Sequence, residues 1–205
     1  MVKCQLQPSK ITNSTLLCAM MTIPREDFVG EDVKPLAYFD DDVVRGPENY
    51  RALLQPIVLA RLVQALDIQP HEKVLVVGCG DGYTTAVVSY LAQSVWAIDD
   101  NKEALATVKR LLAANEADSV TVEYGSLVAG NSSHAPYDKI LINGSIDTVP
   151  AALLEQVSCG GAIGYIKNCS RDKQQICILE KHRKTHTEKP IWEAFAHNLN
   201  GFDGN

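Results

Sequence analysis

The sequence predicts an α/β fold: a mostly parallel β-sheet with helices on both faces, one antiparallel edge and a helical segment ahead of it. Three observations carry this. From Val74 onward, short β-branched runs alternate with longer amphipathic ones. The first of these runs, Val74-Leu75-Val76-Val77, is continuously apolar and ends in Gly78, as a strand buried on both faces should. Toward the end, Gln175 to Glu180 and Ile191 to Ala196 are strand-like with only a polar stretch between them, the pattern of an antiparallel hairpin. Strands separated by helix-length segments need crossovers, which makes the pairs parallel and, with right-handed connections, covers both faces.

Taken in order, a short helix is expected from near Thr12 to Met21, capped by Asn13 or Thr12. Pro35 to Pro47 reads as loop and turn and includes the acidic triplet Asp40-Asp41-Asp42. Gln55 to Leu66 has the helical stripe Val58, Leu62, Val63 and Leu66. Then come the strand Val74–Val77, a helix over Tyr83–Ala92, a strand Val95–Ile98 and a helix Lys102–Asn115 with Leu105, Val108, Leu111 and Leu112 on one face. Strands follow at Val120–Tyr124 and Lys139–Ile142. Pro150 fits the first turn of a helix reaching Val157, and Cys159-Gly160-Gly161 should break it before a strand at Ala162–Ile166. The whole chain, 1–205, is read as one domain: a cap over the sheet edge (1–70), a core (71–166) and an edge hairpin (167–205).

The 205 residues carry 25 Asp+Glu against 19 Lys+Arg, a net charge of −6, with 46% hydrophobic and 21% charged residues. That composition excludes disorder, and its acidic balance argues against a nucleic-acid partner. No run approaches the ~18 apolar residues of a membrane span. Leu16 to Met21 is too short and too late for the ~7–15-residue apolar stretch of an export signal. Six cysteines without a C-x-x-C pair are expected as buried or free thiols and not disulfides. A cytoplasmic monomer is the expectation.

The sharpest signal is Gly78-Cys79-Gly80-Asp81-Gly82 at a strand-to-helix turn. Glycine lets the backbone turn tightly against a ligand, and the start of the next helix offers unpaired N–H groups. Asp99 ends the following strand, where a carboxylate can accept both hydroxyls of a ribose. A dinucleotide motif wants G-x-G-x-x-G, and Tyr83 stands at its sixth position. The G-x-G-x-G form is similar to the first motif of S-adenosylmethionine-dependent methyltransferases, whose donor has a small aminoacyl end and leaves S-adenosylhomocysteine. Cofactor contacts are therefore expected from Gly78, Cys79, Gly80, Gly82, Tyr83 and Asp99, with Ser126 and Leu127 at the adenine and Asn143 facing the methyl group. A structural glycine turn, with Asp99 capping the next helix, is the alternative.

Three other candidates are set aside. His182 to Pro190 is similar to the end of a zinc finger but lacks the upstream Cys pair, so a hairpin loop is expected and no metal. Cys79 has no histidine placed to activate it. Asn143-Gly144-Ser145-Ile146 also lacks the Asn-Pro-Pro-Tyr of amino-group methyltransferases.

Further segments extend the likeness. Met1-Val2-x-x-Gln5-Leu6, Ile11-Thr12, Leu17-x-Ala19-Met20, Ile23-Pro24-Arg25-Glu26-x-Phe28-Val29, Ala37-Tyr38, Gln55-Pro56-Ile57-Val58-Leu59-Ala60, Ala135-Pro136-Tyr137-Asp138 and Val149-Pro150 follow in one order with the glycine turn. Through about residue 166 the chain resembles the protein-L-isoaspartate O-methyltransferases, a family with a three-layer Rossmann-like fold. The resemblance implies methyl transfer to isoaspartyl carboxylates of damaged proteins and peptides. A carboxylate is already ionised near neutral pH, so no general base is needed and none is assigned; orientation in a water-poor site should do most of the work. The family's Thr-x-Ser segment is Ala52-Leu53-Leu54 here, with Leu54 at the serine position, and its Gly-Asp-Gly is Gly125-Ser126-Leu127. Tyr50, Arg51, Leu53 and Leu54 are the expected acceptor-facing residues. A different carboxylate or hydroxyl acceptor, or cofactor binding without turnover, is the alternative reading.

Overall fold

The computed structural model describes residues 1–39, 43–45, 49–199 and 201–202, with backbone alone for 43–45 and 49–52. The acidic triplet Asp40–Asp42 and Pro47 lie outside the described residues. A π-helical turn (Val2–Leu6) leads to α1 (Ser14–Thr22), whose N-cap Asn13 accepts from Leu16 N. Two 3₁₀ turns, Arg25–Phe28 and Lys34–Leu36, precede a short antiparallel pair, β1 (Val43–Arg45) and β2 (Asn49–Leu53). Helix α2 (Pro56–Leu66) follows, with proline in its first turn.

The main sheet begins at β3 (Lys73–Val77), followed by α3 (Tyr83–Ser89), β4 (Ser94–Asp99), α4 (Lys102–Ala114) and β5 (Val120–Tyr124). Then come β6 (Tyr137–Ile146), α5 (Ala151–Gln156), β7 (Val157–Ser170), β8 (Lys173–Lys181) and β9 (His186–Glu193). The seven strands lie in the order β5-β4-β3-β6-β7-β8-β9. Pairing is parallel from β5 through β7 and antiparallel for β7–β8 and β8–β9. The expected α/β class and antiparallel edge are both present.

Several expected boundaries shift, each for a local reason. Helix α3 stops at Ser89 and not Ala92, where Ser89 Oγ folds back onto Ala86 O and Leu91 N and Ala92 N both bond Val88 O. Strand β6 does not end at Ile142: after a register shift, Ser145 and Ile146 pair with Ile166 and Lys167. Cys159-Gly160-Gly161 does not interrupt the chain but lies inside β7, where Gly160 at φ +89° sits in a bulge between two stretches paired with β6. Because β7 runs to Ser170, the expected boundary at 167 cuts through a strand. The expected loop His182–Pro190 shrinks to a turn closed by His182 N on Thr185 O, and His186–Pro190 belongs to β9. Strand β9 in turn ends at Glu193, before Ala196, because Ala194 N and Ala196 N both turn back to Gln174.

Apolar packing fills both faces. On one, α1–α4 cover Val74, Val76, Ala97 and Leu141. The cap lies on this face and not over the edge: Leu62 and Leu66 of α2 sit directly over Gly164 of β7. Arg61 of α2 reaches the outer strand, its guanidinium 3.5 Å from the centre of the Trp192 ring. On the other face, α5 contributes Leu153, and the tail following β9 contributes Leu199 and Phe202 over Leu75, Val77, Ile98 and Ile142. Strand β9 is the outer edge, exposed along its whole length and containing Pro190. No helix among the described residues is long and apolar enough to cross a membrane.

Glu188 of β9 accepts from Tyr165 Oη and Lys167 Nζ across the sheet. Partial burial pushes its carboxyl up, but these two hydrogen bonds outweigh it and hold the group below the ordinary value of 4.5. The stability it contributes is present above that value and is lost as pH falls through the depressed folded value. Glu188→Gln should therefore flatten the fall in urea midpoint between pH 6 and pH 3 relative to the parent chain.

Candidate active site

The glycine turn is built by constraints that only glycine meets. Gly78 and Gly82 adopt φ +76° and +95°. A Cβ on Gly78 would lie 3.2 Å from Leu199 Cδ2, and one on Gly82 would lie 3.1 Å from Val108 Cγ1. Gly78 N and Cys79 N both donate to Ile98 O at 2.9 and 3.2 Å, which fastens the turn to the end of β4. Cys79 is buried beneath it.

Asp99 sits at the tip of β4, 1% exposed. Its Oδ2 accepts from Gly80 N at 2.9 Å and its Oδ1 from Asn101 N at 2.9 Å. Asn143 lies inside β6, not beyond its end as expected, and braces the same turn. Its Nδ2 donates to Gly78 O at 3.0 Å, while its Oδ1 accepts from Thr84 Oγ1 at 2.8 Å. Gly78, Gly80, Asp99 and Asn143 are thus brought together around one turn. After β5, Gly125 N donates to Asp99 O at 3.0 Å, Ser126 Oγ accepts from Ala129 N, and Leu127 is buried in the second core.

The segment ahead of α2 reaches this turn through the cap. Arg25 is fully buried; its Nε donates to Ala37 O at 2.6 Å and its Nη2 to Leu54 O at 2.7 Å. The same guanidinium lies 5.0 Å from the centre of the Tyr83 ring, which packs edge-on against Phe28 at 5.6 Å. Tyr83 is 1% exposed and its hydroxyl has no hydrogen-bond partner among the described residues; burial holds that hydroxyl far above the usual tyrosine range. Leu53 and Leu54 are buried, so this segment offers apolar side chains and a fixed carbonyl where hydroxyls would be expected. The side chains of Tyr50 and Arg51 lie outside the described residues.

Three contributors escaped the sequence reading. Arg25 stands directly before Glu26 and Asp27, so its charged surroundings in sequence hide its burial. Thr84 has no distinguishing pattern. Leu199 reaches Gly78 and Gly144 from the far end of the chain; Ser145 N donates to His197 O at 3.0 Å and Leu199 N to Ser145 O at 2.9 Å. Among the described residues, no three His, Cys, Asp or Glu side chains are grouped to hold a metal ion.

Comparison with known proteins finds a match to the family "Protein-L-isoaspartate(D-aspartate) O-methyltransferase (PCMT)" over residues 1–195. Protein-L-isoaspartate O-methyltransferase 2 of Marinobacter nauticus is 35% identical over 181 residues, covering 88% of this chain and 82% of the relative. The Protochlamydia amoebophila protein-L-isoaspartate O-methyltransferase is 30% identical over 186 residues, covering 91% and 88%. A solved protein-L-isoaspartate O-methyltransferase superposes with a TM-score of 0.86 at 22% identity, covering 97% of this chain and 65% of its own. A Plasmodium falciparum structure, described as such an enzyme in complex with S-adenosyl-L-homocysteine, superposes at 0.81 with 14% identity over 97% of this chain and 96% of its own. These two structures share the fold.

Gly82→Ala should lower stability by about 1–2 kcal/mol, from left-handed strain plus the contact with Val108, measured by urea unfolding. Arg25→Met leaves two buried carbonyls without their donor and should lower it by about 3 kcal/mol in the same assay.

Proposed function

The chain belongs to the protein-L-isoaspartate(D-aspartate) O-methyltransferase family, and we propose that the residues gathered at the glycine turn are where it transfers a methyl group from S-adenosylmethionine to an isoaspartyl carboxylate of a protein or peptide. It is an enzyme of the carboxyl-methylating class and uses S-adenosylmethionine as its donor. The observation that carries the site assignment is Asp99, a buried acid at a strand tip hydrogen-bonded to the middle of the glycine turn.

The turn suits this donor, because glycines at 78, 80 and 82 keep its backbone bare of side chains and the buried carboxylate of Asp99 lies against it. When bound, S-adenosylmethionine supplies an electrophilic methyl group on a positively charged sulfur. The residues that would hold it are Gly78, Cys79, Gly80 and Gly82 at the aminoacyl end, Asp99 at the ribose hydroxyls, and Ser126 and Leu127 beside the base. Asn143 and Thr84 keep the turn in shape from behind. Tyr83 acts through its ring, tying the helix after the turn to the cap.

Chemistry on an ionised carboxylate asks the protein for no proton transfer. The chain's own task is to align the acceptor and exclude water, because both reacting charges fade as the methyl moves and water would stabilise them best before reaction. Leu53 and Leu54 provide the dry wall, and Arg25 fixes the Leu54 carbonyl relative to the turn. Tyr50 and Arg51, next in sequence, are assigned to the acceptor carboxylate.

The chain is read as one functional unit of cap, core and edge hairpin, the hairpin beginning within β7. We place it in the cytoplasm as a monomer, without a nucleic-acid or membrane partner. All six cysteines are free, in keeping with a reducing compartment, and the net charge of −6 disfavours nucleic acid.

A labelled-methyl assay on an isoaspartyl peptide and its normal aspartyl twin tests this reading. Label should enter the isoaspartyl peptide alone, and Leu54→Ser should raise the rate. Equal labelling of the twins, or none, would overturn it.

A further inference from the structure

Beyond the donor turn, the carboxyl ends of β6 and β7 open into a second cleft, of about 560 Å³. The crevice outside strand carboxyl ends is where open α/β sheets bind ligands. Strand β6 leads directly into it: Asn143 braces the glycine turn, Ser145 fastens the tail, and Asp147 lines the cleft. At a rise of ~3.3 Å per residue, the four positions from Asn143 to Asp147 span roughly 13 Å.

The floor is fixed by a closed set of hydrogen bonds. Gln174 Nε2 donates to Asn168 Oδ1 at 2.9 Å and to Ser145 Oγ at 3.3 Å, while its Oε1 accepts from Ala196 N at 2.7 Å. Asn168 Nδ2 donates to Asp147 Oδ1 at 2.7 Å and to Asn198 Oδ1 at 3.2 Å. Two groups stand apart from this network. Arg171, exposed on the β7–β8 turn, makes no hydrogen bond or ion pair with any described residue, and Asp147 Oδ2 likewise has none. A rigid polar floor with a cation on one side and a carboxylate oxygen on the other suits an extended polypeptide. It does not suit a small ligand, whose pockets are enclosed and mostly apolar.

We propose that this cleft seats the acceptor polypeptide beside the modified residue, Asp147 taking a backbone N–H and Arg171 selecting an acidic side chain. The proposal rests on the reading of function above and adds to it a preference among acceptors. The distance along β6 sets the reach to Asp147: an extended chain covers ~13 Å in about four residues, so the backbone at Asp147, and the acidic side chain across the cleft at Arg171, lie about four positions from the isoaspartate.

Fluorescence anisotropy on the full chain tests this without turnover. The probes are labelled isoaspartyl peptides with Glu, Gln or Lys four positions to either side of the isoaspartate, and aspartyl twins with the same flanks. The Glu peptide should bind about fivefold more tightly than the Lys peptide, the size of one exposed ion pair. Arg171→Ala should remove that difference and Arg171→Glu should reverse it. Arg171 is exposed on a turn, so neither change disturbs the core, and an unaltered urea midpoint would confirm it. Equal binding of Glu and Lys peptides to the parent chain, or discrimination untouched by Arg171→Glu, would overturn the proposal. Charge selection that depends on Arg171 but comes without methyl transfer would keep the cleft and overturn the functional reading. Methyl transfer to isoaspartate with no influence of Arg171 would do the opposite.

Discussion

An ionised carboxylate withdrawn from water costs several kcal/mol unless fixed dipoles replace its hydration. Asp99 meets that requirement with two backbone N–H groups, one from the glycine turn and one from the start of α4. Both loops must therefore present an amide to the same point, and the shape of the site follows. Gly80 points its N–H at Asp99 from a turn that takes left-handed conformations at Gly78, Gly80 and Gly82. Those at Gly78 and Gly82 bring the backbone against Leu199 and Val108, leaving no room for side chains at either position. One buried charge thereby sets the turn and its packing.

A second constraint joins the cap to the glycine turn, two segments that lie apart in the chain. Arg25 closes the gap by holding the Leu54 carbonyl with one nitrogen and lying against the ring that follows the turn. Burying a guanidinium is itself unfavourable without such partners, so the contacts that stabilise Arg25 are the same ones that hold the segment ahead of α2 to the helix after the glycine turn. The loss of hydroxyls at Ala52 and Leu54 leaves this link in place, because it runs through the backbone carbonyl.

Features with a local physical cause were readable in the sequence, and those with a distant cause were not. The run Val74–Val77 followed by glycines, Asn13 as a cap, the stripe of α2 and the placement of Asp99 each depend on residues within a turn or two. The length of β6 depends on pairing with β7 after a register shift and on a tail more than fifty residues further on. The glycines of β7 looked like a break because glycine usually punctuates a strand, yet pairing on both sides absorbs Gly160 as a bulge. Leu199 could not be foreseen at all: nothing near it in sequence refers to Gly78. For Tyr83, the expected place in the turn is right, but its ring turns toward the cap, and periodicity alone does not reveal which core a buried ring joins.

The outer margin of the sheet has a consequence for the chain's behaviour among its neighbours. A strand exposed along its whole length is a template on which other chains can grow. Strand β9 carries Pro190, which has no N–H to offer such a newcomer, beside the charged pair Glu188 and Lys189. Extension of the sheet by a further strand at this border is thus opposed by the residues that form it.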